Sequence, residues 1–339
     1  VTNTAPLKEF LTAFGPNGKF LYGAFHRFFR DELLDFFRRR GVETKAERGG
    51  RIFPASDSAV DIVDVLVSYV KEGGELKLNS RVTAIERDDR SVTGVRLENG
   101  EFLPTTAVIL AAGGASFPAT GSAGDGFKLA RSIGHRVNKL YPALVPLALK
   151  EVEFAKACQG VSLRNVRLTA FACDKASIPD MTINHDYGRG TKYEKPPVPI
   201  IESRFGEMLF THFGIGGPVT LLMSQAVARA LDAGRVSVSI DLKPTLSHKE
   251  LDVRLQRDFA TSPKRQLPAL LRELLPEKMV EPVAGISGIA IGKTAATITA
   301  EERRGLVKLL KSLTFDVKSP LPLSAAMVTA GGVDLKEID

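Results

Sequence analysis

The stretch AVILAAGGASFPATGSAGDG, residues 107–126, decides the fold class of this chain. Its apolar start, Ala107 to Ala112, ends in two glycines, which is typical of a buried strand in a parallel α/β sheet. The later glycines let a backbone approach a bound group closely, and the helical pattern from Phe127 to Ile133 follows them. Amides at the start of such a helix favour negative charge. The stretch therefore predicts a strand, a glycine-rich turn and a helix beside a cofactor.

Asp125 lies where that helix begins. Its carboxylate could bind a hydroxyl group of the cofactor, or it could cap the helix while Gly121, Gly124 and Gly126 only form turns. Both interpretations remain open from this motif alone.

A second motif, Gly49-Gly50 followed by RIFPAS at residues 51–56, brings a cation, an aromatic ring and a rigid proline together before a helix. These residue types suit a loop that faces a cofactor. The alternative is structural: Ser56 or Asp57 caps the helix, and the Arg51 guanidinium is solvated.

A third motif, GEMLFTHFGIGGP at residues 206–218, precedes an apolar helical pattern from Val219 to Leu231. His212 could transfer a proton near neutral pH, and Arg204 and Glu207 are further candidates for the substrate side of a site. A lone histidine beside a glycine turn can equally be a structural hydrogen-bonding residue.

The remaining segments predict both helices and strands. A phenylalanine stripe within residues 7–40 has the spacing of a packed helix face, and we interpret it as core. A helix is predicted from Ala59 to Lys71. Strands are predicted at Glu75–Leu78, Val82–Arg87, Val92–Leu97, Val166–Ala172 and Val236–Leu242.

The carboxyl-terminal third changes character. Residues 247–313 are rich in Leu, Lys, Arg and Glu, and four prolines at positions 263, 268, 276 and 282 should break them into short helices. The apolar segment Ala326–Val333 ends in Gly331-Gly332, like the first glycine turn, and we expect it to rejoin the first domain.

Composition narrows the function classes. A chain of 339 residues with 44% hydrophobic and 25% charged residues predicts two or three domains. The net charge of +7 is spread along the chain, so we expect no nucleic-acid partner. The two cysteines and five histidines lack metal-ligand spacing, which predicts no metal and a reducing compartment. Since no apolar run is long enough for a membrane span, we expect a cytoplasmic protein without a membrane partner.

In order along the chain, GRIFP, AGGASFPATGSAGDG, PALVPL, FTHFGIGGP and TAGGV resemble the BaiN-like family of NAD(P)/FAD-dependent oxidoreductases, also called aminoacetone-oxidase-like flavoproteins. The resemblance spans essentially the whole chain. It implies an α/β fold in which a Rossmann-like FAD-binding domain, residues 1–143 and 324–339, is interrupted by an α+β insert. The insert would comprise a β-barrel part, residues 144–246, and a helical part, residues 247–323.

The resemblance also implies the cofactor-binding residues. They are Arg51, Phe53, Pro54, Val82 through its backbone near the adenine, Gly113, Gly114, Thr120, Gly121, Gly124, Asp125, Gly331 and Gly332. The family normally opens with a strand and a Gly-x-Gly-x-x-Gly turn and closes with a glycine-rich segment beside the flavin. We therefore expect this chain to be the greater part of a longer flavoprotein. Gly216 stands where the family commonly has Ser.

By the same resemblance, the expected activity is hydride transfer from NAD(P)H to FAD and on to a small organic acceptor or oxygen. One alternative is a flavin-dependent amine or aminoketone oxidase. Another is a basic nucleic-acid-binding protein that keeps the scaffold without catalysis. The absence of a Cys-x-x-Cys pair argues against a disulfide reductase.

Overall fold

The computed structural model describes residues 1–178 and 199–338. The chain divides into two compact units, one of residues Val1–Val108 with Leu335–Asp339 and the other of residues Ile109–Asp334. The helices are α1 (Leu7–Thr12), α2 (Tyr22–Arg27), α3 (Arg30–Arg38), α4 (Ala59–Gly73), α5 (Asp125–Ser132), α6 (Val152–Ala157), α7 (Pro218–Ala233), α8 (His248–Thr261), α9 (Leu267–Leu271), α10 (Glu277–Ile286) and α11 (Ala300–Lys311). The strands are β1 (Thr2–Asn3), β2 (Thr44–Ala46), β3 (Arg51–Pro54), β4 (Val82–Arg87), β5 (Val92–Leu97), β6 (Phe102–Pro104), β7 (Tyr141–Ala143), β8 (Leu147–Leu149), β9 (Ser162–Phe171), β10 (Ile200–Phe210), β11 (Gly214–Gly216), β12 (Ser237–Asp241), β13 (Leu313–Pro320) and β14 (Val328–Ala330).

The first unit contains two small antiparallel sheets, with strand orders β1-β3-β2 and β4-β5-β6. The predicted strands at β4 and β5 and the predicted helix at α4 are confirmed. The phenylalanine stripe does form a packed group, since the Phe10 ring lies 5.5 Å from that of Phe25 and 5.1 Å from that of Phe29. Phe37 is buried, whereas Phe28 is 51% exposed, so the stripe is core only in part.

The second unit is built on a closed six-stranded barrel with the order β10-β11-β8-β13-β12-β9. The alternating residues Val166, Leu168 and Ala170 of β9 are buried, because a period of two places one face of a strand inside the barrel. The predicted barrel-containing insert is therefore confirmed. One continuous core joins the barrel to α7–α11.

The predicted helical part is also confirmed, and its helices begin where capping residues stand. Ser247 and Thr299 form capping boxes with Glu250 and Glu302 at the starts of α8 and α11. Pro268 lies in the first turn of α9, where a residue without an N–H loses no helical hydrogen bond.

One predicted helix break is wrong, because Pro282 lies inside α10. A proline there cannot donate to the carbonyl oxygen four residues earlier, which belongs to Lys278. The Cys158 thiol donates to that oxygen instead, at 3.9 Å. A tertiary contact thus offsets part of the lost helical hydrogen bond.

Two predicted strands are absent. Residues 107–112 and Glu75–Leu78 form no strand, and Ile109 and Leu78 are 93% and 73% exposed. An apolar run becomes a buried strand only beside a partner strand, and none of the described residues pairs with either segment. All strand pairs within the described ranges are antiparallel, so the expected parallel sheet is not formed there.

The domain boundaries at residues 143, 246 and 323 remain predictions. Among the described residues, no helix is both long enough and apolar enough to cross a bilayer.

Candidate functional site

The second unit brings the two glycine turns into one cluster, although they are more than 200 positions apart. β14 pairs with β7, and the Asn138 amide donates to the Gly332 carbonyl oxygen at 2.8 Å. The Thr329 hydroxyl of β14 also accepts a 2.8 Å hydrogen bond from the Ala115 amide, which follows the first pair of glycines. The segment that ends in the second glycine turn therefore packs directly against the first.

Three of the glycines in this cluster lie in close contact with other residues. A Cβ atom at Gly114 would lie 2.6 Å from the Thr329 Oγ1 atom, and one at Gly331 would lie 2.4 Å from the Lys139 carbonyl oxygen. At Gly124 the nearest atom would be the Ala115 Cβ at 3.1 Å. An added side chain would collide with these atoms at Gly114 and Gly331, and would fit tightly at Gly124.

Gly121 and Gly124 shape the approach to α5. Their φ values are +93° and +80°, a backbone region that favours glycine. Gly124, and not Asp125, is the N-cap of α5, so the capping interpretation of Asp125 is wrong. The Asp125 carboxylate lies in the first turn, 3.0 Å from the Lys128 ammonium group. The Thr120 hydroxyl donates to the Phe117 carbonyl oxygen at 2.7 Å and so closes the turn before Gly121.

This cluster fits a flavin nucleotide by its backbone chemistry. A Cβ atom at Gly121 would meet no atom within 4 Å, so the turn borders open space. The N-cap residue of α5 has no side chain with which to cap the first amides of the helix, and those amides favour a negatively charged group.

The first unit carries the other predicted cofactor residues. Arg51 and Phe53 lie on β3. The Arg51 guanidinium is 5.4 Å from the centre of the Phe53 ring and 3.4 Å from the Glu47 carboxylate. Pro54 is buried at the end of β3. Val82 opens β4 opposite Leu97, where the ladder has a register irregularity.

The alternative capping role for Ser56 or Asp57 is wrong. The N-cap of α4 is Ser58, and its side chain makes no capping hydrogen bond. Ser56 instead donates to the Asp61 carboxylate, and Asp57 pairs with Lys45 at 2.6 Å. Asp57 adopts a positive φ of 61°, which turns the chain between β3 and α4.

The candidates for proton transfer lie on the barrel. His212 is exposed in the tight turn between β10 and β11, where the Thr211 hydroxyl accepts from the Gly214 amide at 3.1 Å. Its ring meets the Phe213 ring edge-on, with centroids 4.8 Å apart. Arg204 lies within β10 and donates to the Glu202 carboxylate at 2.6 Å. Within the described ranges His212 and Arg204 form no hydrogen bond with each other, so the structure does not assemble them into a catalytic pair.

Sequence reasoning missed two groups that shape this unit. One is Thr329, which stands two residues before Gly331 and is the only hydroxyl residue of β14. The other joins α7 to β7: Asp232 accepts hydrogen bonds from the Lys139 ammonium at 2.6 Å and from the Tyr141 hydroxyl. These contacts lower the pKa of Asp232, chiefly through the Lys139 hydrogen bond.

Metal-ligating side chains do not gather in the described parts of the chain. No group of three or more His, Cys, Asp or Glu residues there could hold a metal ion.

Comparison with known proteins gives a family. A family model described as the HI0933-like protein Rossmann domain matches residues 1–339. The chain is 26% identical over 326 residues to a 3-dehydro-bile acid delta(4,6)-reductase of Clostridium scindens, which covers 96% of this chain and 73% of that protein. It is 28% identical over 326 residues to a ribosomal RNA dihydrouridine synthase of Haemophilus influenzae, covering 95% and 72% of the two chains. A ribosomal RNA dihydrouridine synthase of Escherichia coli is 26% identical over 326 residues, with 95% and 71% covered.

These matches confirm the family resemblance of the motifs. Because the family model spans every residue, the chain belongs to the HI0933-like family of FAD-binding Rossmann oxidoreductases.

Proposed function

We propose that this protein is an FAD-dependent reductase that takes hydride from NADH or NADPH and passes it to an unsaturated organic acceptor. The glycine cluster around Gly114, Gly124 and Gly331 carries the proposal, because its close backbone contacts and open α5 amides suit a flavin nucleotide. The names of the relatives support the acceptor class. One is a reductase of a delta(4,6) bile acid and two are synthases of dihydrouridine, and both descriptions concern hydrogen added to an unsaturated substrate.

In the second unit, the residues proposed to hold the cofactor are Gly113, Gly114, Thr120, Gly121, Gly124, Asp125, Gly331 and Gly332. Arg51, Phe53, Pro54 and Val82 of the first unit stay predictions of the family resemblance. When bound, FAD supplies the capacity to accept and donate hydride, which no side chain has. The chain contributes amides that stabilise negative charge and a backbone shape that excludes side chains from the flavin.

His212 is the proposed proton donor on the acceptor side. A reduced double bond needs a proton as well as a hydride, and an imidazolium group can donate that proton. Its exposed place at the β10–β11 turn leaves the imidazole accessible to a substrate. Arg204 stays a separate candidate for binding a polar group of the acceptor, since its guanidinium lies on β10, eight residues before His212, and donates to the Glu202 carboxylate.

RNA is a second candidate acceptor. Two relatives are named as synthases acting on ribosomal RNA, and the net charge of +7 would favour a polyanion. This alternative differs from the small-molecule acceptor expected from the sequence, and it predicts activity that falls steeply as salt concentration rises.

The first test is a visible absorption spectrum of the full-length gene product, before and after anaerobic addition of NADPH or NADH. We expect a flavin band that bleaches with one of the nucleotides. A protein that stays colourless after incubation with FAD would contradict the proposal. A flavin that resists both nucleotides but bleaches with an amine or aminoketone would favour the oxidase instead.

The reduced enzyme is then mixed with a conjugated enone, with ribosomal RNA or with oxygen, and reoxidation is followed at several salt concentrations. For the proton donor, His212→Gln should slow reoxidation by the acceptor without slowing reduction by NADPH. His26→Gln is the matched control, because His26 is also exposed and lies against an aromatic ring, that of Tyr22. Equal rates in both variants would contradict the role of His212.

A further inference from the structure

Thr329 occupies an unusual place in the ladder of β14 and β7. Its partner across the ladder is Pro142, which has no N–H to donate. The Thr329 side chain makes its contacts on the other side, with the glycine loop: Oγ1 accepts from the Ala115 amide at 2.8 Å and donates to the Ser116 hydroxyl at 3.2 Å. Both hydrogen bonds are partly buried, so water competes with them less than at an exposed site.

The glycine loop is held at a second point by α5. The Gly124 amide donates to the Gly114 carbonyl oxygen at 3.0 Å, and Gly124 is the N-cap of that helix. The loop between these points contains Phe117, whose φ of +51° is strained for a bulky side chain and whose ring is 47% exposed. A loop with such a strained residue needs fixed ends to keep one conformation.

The contact at Gly114 shows how closely Thr329 fits. The Oγ1 atom would be 2.6 Å from a Cβ atom at position 114, so the hydroxyl fills the space that a side chain would take. The loop thereby depends on a residue 214 positions further along the chain.

We propose that Thr329 is a positioning residue that holds the loop of residues 113–116 in the conformation that binds the flavin. The inference rests on the proposed function, because it assigns Thr329 a role toward FAD. Thr329 acts through the Ala115 amide and the Ser116 hydroxyl, which it keeps in place before the cofactor arrives. Loss of its hydroxyl leaves a partly buried amide without a partner, which should weaken FAD binding roughly tenfold.

The test compares Thr329→Val, which keeps the β-branched shape, with Thr329→Ser, which keeps the hydroxyl. Thr169→Val is the matched control, because the Thr169 hydroxyl also makes a 2.8 Å partly buried hydrogen bond, to Ser203 within the barrel. Two quantities are measured on the full chain: the dissociation constant for FAD from flavin fluorescence, and amide hydrogen exchange of the peptide containing Ala115 without FAD.

We expect Thr329→Val to raise the FAD dissociation constant about tenfold and to speed exchange at Ala115. In Thr329→Ser both quantities should stay within about twofold of their wild-type values. Thr169→Val should change neither, whatever its effect on the melting temperature.

Unchanged FAD affinity in Thr329→Val would overturn the inference while the proposed function stands. A wild-type chain that binds no FAD would overturn both, and the exchange measurement would then show whether the loop contact is structural alone. If Thr329→Val fails to fold, normal affinity and exchange in Thr329→Ser with a loss in Thr329→Ala would support the inference, and equal values in both would contradict it.

Discussion

The barrel and the glycine cluster belong to the same compact unit, but they are specified in opposite ways. The barrel is held by side-chain volume: Phe210, Phe315 and Leu168 are buried to 2% exposure or less. The cluster is packed closely around positions without side chains, such as Gly114 against the Thr329 hydroxyl and Gly331 against the Lys139 carbonyl oxygen. Removing atoms should therefore damage the barrel, whereas adding them should damage the cluster.

The largest expected effect is the loss of a ring from the barrel. Phe210 is fully buried between Phe154 and Phe315, with ring centroids 5.9 and 6.1 Å away. Phe210→Ala should lower the free energy of unfolding by about 3–5 kcal/mol, because it removes buried apolar surface and leaves a cavity. Urea denaturation measures this change.

Phe205→Ala is the control on the same strand, since Phe205 is 51% exposed. Phe205→Ala should lower the free energy of unfolding by no more than about 0.5 kcal/mol. Similar costs for the two variants would mean that the barrel interior is not the source of stability.

The buried ion pair at Lys311 should give the next largest effect, and one that depends on pH. The Lys311 ammonium is 2.7 Å from the Asp241 carboxylate and also donates to the carbonyl oxygens of Lys243 and Leu246. Lys311→Met should cost about 2–4 kcal/mol near neutral pH, because it leaves a largely buried carboxylate without its cation.

The sign of the pH dependence follows from Asp241. Burial raises its pKa above the ordinary value, and Lys311 opposes that rise. A carboxyl group whose pKa is raised on folding contributes stability below its unfolded pKa and loses it as pH rises through the folded pKa. Without Lys311 the pKa rises further, so the variant should lose more stability than wild type between pH 4 and pH 8.

Unfolding free energies at both pH values test this, with Lys318→Met on the exposed part of β13 as the control. A loss that is the same at pH 4 and pH 8 would show that Asp241 is not the group responsible.

The sequence predicted the barrel region better than the cluster, for a physical reason. β-like segments predicted strands near β9 and β12, and an apolar helical pattern predicted α7, because those side chains themselves fill the core. Closure of the barrel followed from the family resemblance and not from periodicity, since strand order depends on contacts far apart in sequence.

The failures concern segments whose structure depends on a distant partner. Residues 107–112 have the composition of a buried strand but find no strand beside them in the described residues. Pro282 stays inside α10, and the carbonyl oxygen it leaves free accepts from Cys158 on α6's carboxyl-terminal side. Thr329 opens the TAGGV motif, but the motif does not reveal its hydrogen bonds, which reach Ala115 and Ser116 across more than 200 positions.

Within the cluster, Gly331→Ala should be more damaging than Gly121→Ala. Both glycines have φ near +95°, at +98° and +93°, so the backbone strain is similar. The Cβ atom at Gly331 would also collide with the Lys139 carbonyl oxygen at 2.4 Å, whereas Gly121 borders open space. We expect the free energy of unfolding to fall by about 2–4 kcal/mol in Gly331→Ala and by about 1 kcal/mol in Gly121→Ala.

Thermal denaturation gives the stability change, and FAD titration shows whether Gly121→Ala weakens binding despite its small cost. Weaker FAD binding by Gly121→Ala would support the idea that the cofactor occupies the open space beside Gly121. Equal destabilisation by the two substitutions would mean that the contact of Gly331 with the Lys139 carbonyl oxygen does not constrain the turn.

The smallest effect concerns reactivity and not stability. Burial raises the pKa of the Cys158 thiol to about 11; Cys173 is only partly buried, and burial also raises its pKa. At pH 8, iodoacetamide should therefore label Cys173 first and reach Cys158 only when the barrel core opens, as followed by peptide mass spectrometry. Phe210→Ala should speed Cys158 labelling because it lowers the cost of opening that core, while Gly121→Ala should leave it unchanged. Faster Cys158 labelling in Gly121→Ala would mean that the cluster and the barrel open together, and the contrast between the two regions would then fail.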